Sequence, residues 1–304
     1  MVKPIPLISM KKSFFWAGKI LLNNTLLFVA AVSLLCILLA LLPDSTAGKF
    51  GERVREYLLI TVTFDFGMSS FYGWPVWDII FDRAHKTLLL IGYAMGVVMM
   101  IALPTGLAGG LNKESKLQQA VVYPIYLLSS IPVLIWATIM MIIAFLGFNT
   151  VPVYSNLEGA GFWHSVLIIS PPVLALAIGD GMLYDTYRNI RNEIRKLMVQ
   201  PWIKGLKARG RSVYGHIARG LIEPLTVSLT SKLTYLISGT IIVEYIFNWQ
   251  GLGLLIWETT TAPGAKDYPV IIAAVLFLIS LVIIASIIRD LVHTILNPHT
   301  REVV

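Results

Sequence analysis

Apolar residues along this chain fall in blocks of about twenty, separated by polar runs in which Lys and Arg recur. At 1.5 Å per helical residue, a block of that length crosses a hydrocarbon core of roughly 30 Å. The pattern predicts six membrane-spanning helices, near residues 21–43, 87–110, 119–147, 164–186, 224–247 and 268–292. The third is long enough to tilt or to include an interfacial turn. A large soluble α-helical domain is the competing class, but soluble core helices rarely stay apolar on every face for so long. The predicted fold class is therefore an all-α membrane protein with six transmembrane helices.

The polar runs supply the organisation. Residues 1–20 form a tail before the first span (21–43), and 44–86 is a long loop on the opposite side. Residues 87–292 form a five-helix core interrupted by a polar segment at 187–223, and 293–304 is a second tail. The opening "KKSFFWAGKI" reads equally as an interfacial amphipathic helix or as a plain positive flank. The first apolar run, from Leu21 to Leu42, lacks a clear small-residue cleavage site and reads as a retained span.

Lys3, Lys11, Lys12 and Lys19, then Lys113 and Lys116, then the cations of 187–223, and finally Arg289 and Arg301 all fall on one side of a six-span chain. Retention of cationic loops makes that side, with both termini, cytoplasmic. Trp163, Trp249 and Trp257 then lie near outer span ends, where interfacial indoles belong. Pro104 with Gly106, Pro132, and Pro171 with Pro172 interrupt spans two, three and four. Backbone groups freed at such breaks need protein or water partners, which favours a packed bundle with a wet pathway over isolated anchors.

Composition agrees with this class: of 304 residues 56% are hydrophobic and 13% charged, and mean hydropathy is +0.75. The net charge of +7 is accounted for by cationic cytoplasmic loops and does not by itself indicate nucleic acid. Cys36, the sole cysteine, excludes an intrachain disulfide and argues against a Cys-based metal site.

The segment "WIKGLKARGRSVYGHIARGLIEPL" (202–225) is the most polar insert in the core. Gly205, Gly210, Gly215 and Gly220 punctuate it, predicting a short helix near 200–208, a turn near Gly210 and a second short helix towards Ile222. Pro224 would then stand in the first turn of the fifth span, where a missing N–H costs little. Long ordered loops usually carry a function. Anionic lipid would not require the glycine punctuation, and nucleic acid would want more stacking surface. Docking of a cytoplasmic protein fits best.

The insert resembles the cytoplasmic signature loop, the EAA loop, of bacterial ABC importer permeases. In the dipeptide/oligopeptide/nickel branch that loop reads like "DYVRTARAKG" followed by "RHALRNALIP". Trp202, Ile203, Lys204, Lys207, Ala208, Arg209 and Gly210 match the first part, with Gly205 a second position for the signature glycine; His216, Arg219 and Pro224 match the second. Further stretches are similar in order: "DFGMSS" (65–70) to "GDLGTS", "ALPTG" (102–106) to "GIPLG", "SSIPVLIW" (129–136) to "SVPSFW", "IIVEYIFNWQGLG" (241–253) to "VVVETVFSWPGLG", "KDYPVI" (266–271) to "RDYPVV", and "RDLVHTILNPHTR" (289–301) to "VDLLYALLDPRIR".

The resemblance implies a type I importer permease fold in a bacterial inner membrane. The loop would act as a coupling helix seated on an ATPase. Implied partners are a second homologous permease, two cytoplasmic ABC ATPases and an extracytoplasmic binding protein; ATP and Mg would be bound by the ATPases, with no cofactor on this chain. Implied cargo is short peptides, glutathione-like compounds, nickel or metal chelates. The chain lacks a "GxxxxGK[ST]" phosphate loop of its own. A secondary transporter or channel working without ATP, or a membrane scaffold, are the competing functions; no inverted half-repeat supports the first.

Three ionisable residues fall within predicted spans: Asp180, Lys232 and Glu244. Each would cost roughly 2.5–3.5 kcal/mol at mid-bilayer, so each should face protein or water. Asp180 and Lys232 lie at similar depth, roughly 10–12 Å from the inner ends of their spans. They are expected to pair; the alternatives are a cargo-facing cation at Lys232, or two residues that simply face cytosolic water. Glu244 is either a structural acceptor or part of the pathway. Asp180 and Asp185 lie about 140° apart around one helix and cannot share a water as a protease dyad would. His85, His164, His216, His293 and His299 are scattered and suggest no metal site.

Overall fold

The computed structural model describes residues 8–41, 49–111, 116–149, 151–157, 159–261 and 266–296. The expected tails 1–20 and 293–304 lie outside the described residues at 1–7 and from 297 onward. In chain order the helices are α1 (Ile8–Leu41), α2 (Phe50–Thr63), α3 (Val76–Leu111), α4 (Lys116–Ser129), α5 (Val133–Phe148), α6 (Phe162–Ile178), α7 (Met182–Met198), α8 (Pro201–Ala208), α9 (Tyr214–Ile246), α10 (Leu252–Thr261) and α11 (Tyr268–Leu296). Five of the described helical stretches are long and apolar enough to cross a membrane, and a sixth crossing results if the bent pair α4–α5 counts as one. Among the described residues the only β pairing is an isolated bridge between Met68 and Pro75.

The chain divides into two compact units. The first comprises residues 1–76 and 262–304. In it α1 packs on α2 and α11. Cys36 on α1 lies 3.8 Å from the Thr61 hydroxyl on α2, and Tyr57 meets Tyr268 with ring centroids 5.3 Å apart. Phe64, in the left-handed region, ends α2. A hairpin follows, closed by Ser69 N donating to Trp74 O (2.9 Å) and Val76 N donating to Gly67 O (3.1 Å). Asp267, just before α11, accepts from Ser69 Oγ at 2.6 Å and from Phe71 N at 3.2 Å. The motifs "DFGMSS" and "KDYPVI", nearly two hundred residues apart, thus meet at one buried carboxylate.

The second unit, residues 77–261, departs from a simple up-and-down reading in four places. Helix α3 begins at Val76 rather than near residue 87, because 76–86 is already helical, with Asp78 in the first turn and a Lys86–Asp82 pair at 2.8 Å. The third span is broken: α4 and α5 meet at 103° around Ser130–Pro132. Trp136 Nε1 donates to Leu128 O at 2.7 Å across the bend, satisfying a carbonyl that the break releases. The fourth span breaks at Gly179–Gly181, after which α7 continues to Met198 with Leu183, Tyr187, Ile190 and Ile194 buried at helical spacing. The fifth starts at Tyr214, so Pro224 lies inside α9 and not in its first turn. The expected polar loop 187–223 is therefore mostly helix: the end of α7, all of α8 and the base of α9.

Candidate coupling site

Helix α8 starts with Pro201 in its first turn, where the missing N–H has no partner to lose. It ends on Gly210, whose φ of +66° lets Arg211 N reach back to Leu206 O at 3.0 Å and close the last turn. Gly205 lies inside the helix with open space around it. Ile203 is fully buried, whereas Trp202, Lys204, Gly205, Ala208, Arg209 and Gly210 are exposed. The Trp202 ring centroid lies 6.1 Å from that of His216, which is also exposed, on the first turn of α9. The side chains of Lys207 and Arg219 lie outside the described residues. The result is a short helix buried at Ile203, with the cations Lys204, on the helix, and Arg209, just past its end, both exposed.

Helix α8 follows α7 after only Val199 and Gln200, and α7 in turn leads to the break at Gly179–Gly181. There Asp180 adopts φ 53° and Gly181 φ 77°. Asp180 N donates to Ile131 O at 3.3 Å, and its Oδ1 accepts from Val133 N at 3.1 Å. One residue thereby stitches the break of the fourth span to that of the third and caps the N-terminus of α5. The approach is close: a Cβ on Gly179 would stand 2.8 Å from Val133 Cα.

The geometry corrects the expected Asp180–Lys232 pair. Lys232 Nζ lies 2.9 Å from Asp185 Oδ2, while Asp185 Oδ1 also meets Arg188 at 3.2 Å. Lys232 further sits 5.3 Å from the Tyr235 ring centroid. Asp180 is committed to Val133, one turn too early on the chain for the ammonium. Asp185 is visible in "IGDGMLYD", but its spacing from Asp180 speaks only against a protease dyad and says nothing of a lysine on the next span.

Glu244 is fully buried. Its Oε1 accepts from Thr87 Oγ1 at 2.7 Å, and its Oε2 accepts from Gly253 N (2.7 Å) and Leu254 N (3.0 Å) at the start of α10. Leu252 N donates to Thr87 Oγ1 at 2.8 Å. A carboxylate against the positive end of a helix is the favourable arrangement. This geometry is that of a structural acceptor, and the Glu and Gly-Leu-Gly of "VEYIFNWQGLG" are two halves of one cap. Trp249 is another correction: it is 2% exposed, with Nε1 donating to Lys86 O at 3.1 Å, so it is a packed indole and not an interfacial one. Trp163 and Trp257 are exposed.

The family model described as binding-protein-dependent transport system inner membrane component matches residues 101–302. The chain belongs to this family. Its similarity to the metal-staphylopine import system permease of Staphylococcus aureus is 27% identity over 253 residues, covering 82% of this chain and 78% of that protein. It is 26% identical to the oligopeptide transport system permease of Bacillus subtilis, covering 77% and 75%. With the dipeptide transport system permease of Escherichia coli it shares 23% over 279 residues, covering 83% and 81%. The protein is thus the permease subunit of an ABC importer, a multi-pass membrane component and not an enzyme. The matched region contains α8, both broken spans, Lys232 and Glu244 of this permease.

Proposed function

We propose that this permease forms half of a translocation pathway for short peptides or a related small solute, with metal chelates as the second cargo class, and that α8 is where the motor grips it. Relatives named for oligopeptide, dipeptide and metal-staphylopine transport support that cargo range. A second homologous permease, two ATPases carrying ATP and Mg, and an extracytoplasmic binding protein complete the assembly in a bacterial inner membrane, with both termini of this chain cytoplasmic.

The observation that carries the reading is the direct linkage from α8, through α7, to the stitched break at Asp180. An ATPase pocket closing on the exposed α8 and its end, at Lys204 and Arg209, would move the helix, and Ile203 ties α8 to the body of the chain. Helix α7 has 17 residues, about 25 Å, and acts as the lever. The Lys232–Asp185 pair joins that lever to α9. Binding energy at the motor then biases two arrangements of the spans.

The test is co-purification with ATP-driven uptake. An ATPase should accompany the wild-type permease and be lost from K204E/R209E, with uptake lost in parallel. Uptake that persists without any ATPase would refute the reading.

A further inference from the structure

The exposed face of α2 changes character along its length. Glu52, Arg55, Glu56, Leu59, Val62 and Thr63 recur at helical spacing and are all exposed, so they share one face. The first half of that face is charged. The second half presents Leu59 and Val62, the latter 75% exposed. The hairpin that follows adds Met68, Phe71 and Trp74, with the tryptophan 66% exposed. Exposed apolar side chains grouped this closely along a chain mark a surface that meets something other than water.

The buried side of α2 fixes its level against two spans. Tyr57 meets Tyr268, the first residue of α11. Thr61, one turn further along α2, meets Cys36 on α1. Cys36 lies within the apolar run that begins at Leu21, about 7.5 Å short of the end of α1 at Leu41. From Leu34 to Leu41 the exposed residues of α1 are Leu34, Ile37, Leu38 and Leu41, all apolar. The change from charged to apolar on α2 therefore falls where α11 begins, and its apolar end lies beside a purely hydrocarbon stretch of α1. Water at one end of the face and lipid at the other account for both halves. Asp65 is the one Asp, Glu, Lys or Arg between Tyr57 and Val76, and it is exposed. A carboxylate is costly in the hydrocarbon centre, so the segment lies shallow.

We infer that the second half of α2 and the hairpin 67–76 form a wedge in the interfacial layer of the bilayer, on the side where α1 ends and α11 begins, with Leu59, Val62, Met68, Phe71 and Trp74 covered by phospholipid. Indole and phenyl rings are at home between headgroups and acyl chains. With no Lys or Arg between Glu56 and Val76, the wedge is held by apolar burial and not by anionic headgroups. Its backbone is braced from behind, because Asp267 accepts from Ser69 Oγ and Phe71 N. The headgroup layer is thereby tied to the first turn of α11. The inference goes beyond the transport reading, since it depends neither on the cargo nor on which side of the membrane is cytoplasmic.

The experiment uses the full-length chain with C36A, purified with whatever subunits accompany it and placed in phosphatidylcholine nanodiscs. Thiols introduced by R55C and V62C, at the two ends of the exposed face, are labelled with bimane. Iodide quenches the dye from water, and doxyl groups on the lipid quench it from within the bilayer. At position 55 iodide should quench and doxyl lipid should not. At position 62 the iodide slope should be about tenfold smaller, because a hydrated anion is excluded from an apolar layer. There a doxyl group near the headgroup should quench more than one near the acyl terminus. Replacing half of the lipid by phosphatidylglycerol should change neither reading. L59C and W74C repeat the measurement, so that misfolding of one variant does not decide it. Equal iodide slopes at 55 and 62 would put the face in water and overturn the inference. Protection from both quenchers at 62 would mean that another protein chain covers it, which also overturns it. So would stronger quenching from the acyl terminus, or lipid contact that requires phosphatidylglycerol.

Discussion

Lys232 on α9 and Asp185 on α7 are joined at 2.9 Å, with the lysine side chain 11% exposed and the aspartate 35%. The two partners are not equivalent. Asp185 keeps Arg188 and solvent if the lysine goes, whereas Lys232 loses its carboxylate in a buried position if the aspartate goes. D185A should therefore cost about 2 kcal/mol, below the roughly 3–5 kcal/mol of a fully buried pair because Asp185 is partly solvated. K232M should cost less, and K232M/D185A should resemble K232M. Thermal unfolding in detergent measures this; equal and additive losses from the two single changes would contradict it.

Asp180 combines a left-handed backbone with a cap on Val133. Asn tolerates that conformation and keeps an acceptor oxygen, Gly tolerates it without the cap, and Ala supplies neither. The expected order of stability is wild type, D180N, D180G, D180A, with D180A lower by about 2 kcal/mol. Melting temperatures of the four proteins check the order, and D180A at wild-type stability would remove Asp180 from its place as a stitch.

How far the sequence carries these features depends on what hydropathy can see. The apolar blocks are intrinsic to the chain, so the spans are legible in it, and the ordered motifs point to the family. Backbone direction is legible only in part: Pro132 and the length of the third span point to an interruption there, whereas its 103° angle and the left-handed break in "AIGDGML" leave average hydropathy unchanged. Counting depth along a straight fourth span pairs Lys232 with Asp180. The chain instead turns left-handed at Asp180 and brings the next carboxylate, Asp185, to the ammonium. Trp249 stands near a span end, as an interfacial indole does, but the buried carbonyl of Lys86 that it serves comes from a helix far off in the chain. The Glu244 cap is half legible, as a Glu and a Gly-Leu-Gly in one motif, and its chemistry emerges only when Thr87 joins it.

Glu244 receives three donors in a buried place. E244A leaves the Thr87 hydroxyl and two backbone N–H groups without that acceptor and should cost about 3 kcal/mol, loosening α10 first. E244Q should be intermediate, since its amide oxygen can keep the two N–H groups of α10 but its N–H then faces the Thr87 hydroxyl, which no longer has an acceptor there. T87V should cost about 1 kcal/mol. Hydrogen exchange across 250–261 is the readout; unchanged protection in E244A would contradict the cap.

Ile203 is a fully buried side chain of α8, and Lys204 beside it is exposed. I203A should cost about 2–4 kcal/mol locally, freeing α8 from the chain, so that ATP hydrolysis continues while uptake falls. K204A should change stability by no more than about 0.5 kcal/mol. Uptake per ATP hydrolysed in proteoliposomes distinguishes them, and equal coupling in I203A and wild type would count against the lever.

The most direct measurement is a cross-link from α8. Gly205 is exposed and has open space where a Cβ would stand, so G205C in a C36A background should fold normally. A short bifunctional maleimide should join the thiol introduced at 205 to a cysteine in the surface groove of the accompanying ATPase, with a yield that changes on adding ATP. Reaction of that thiol with a membrane-impermeant reagent from the extracytoplasmic side of intact spheroplasts, or the absence of any ATPase adduct, would contradict the account.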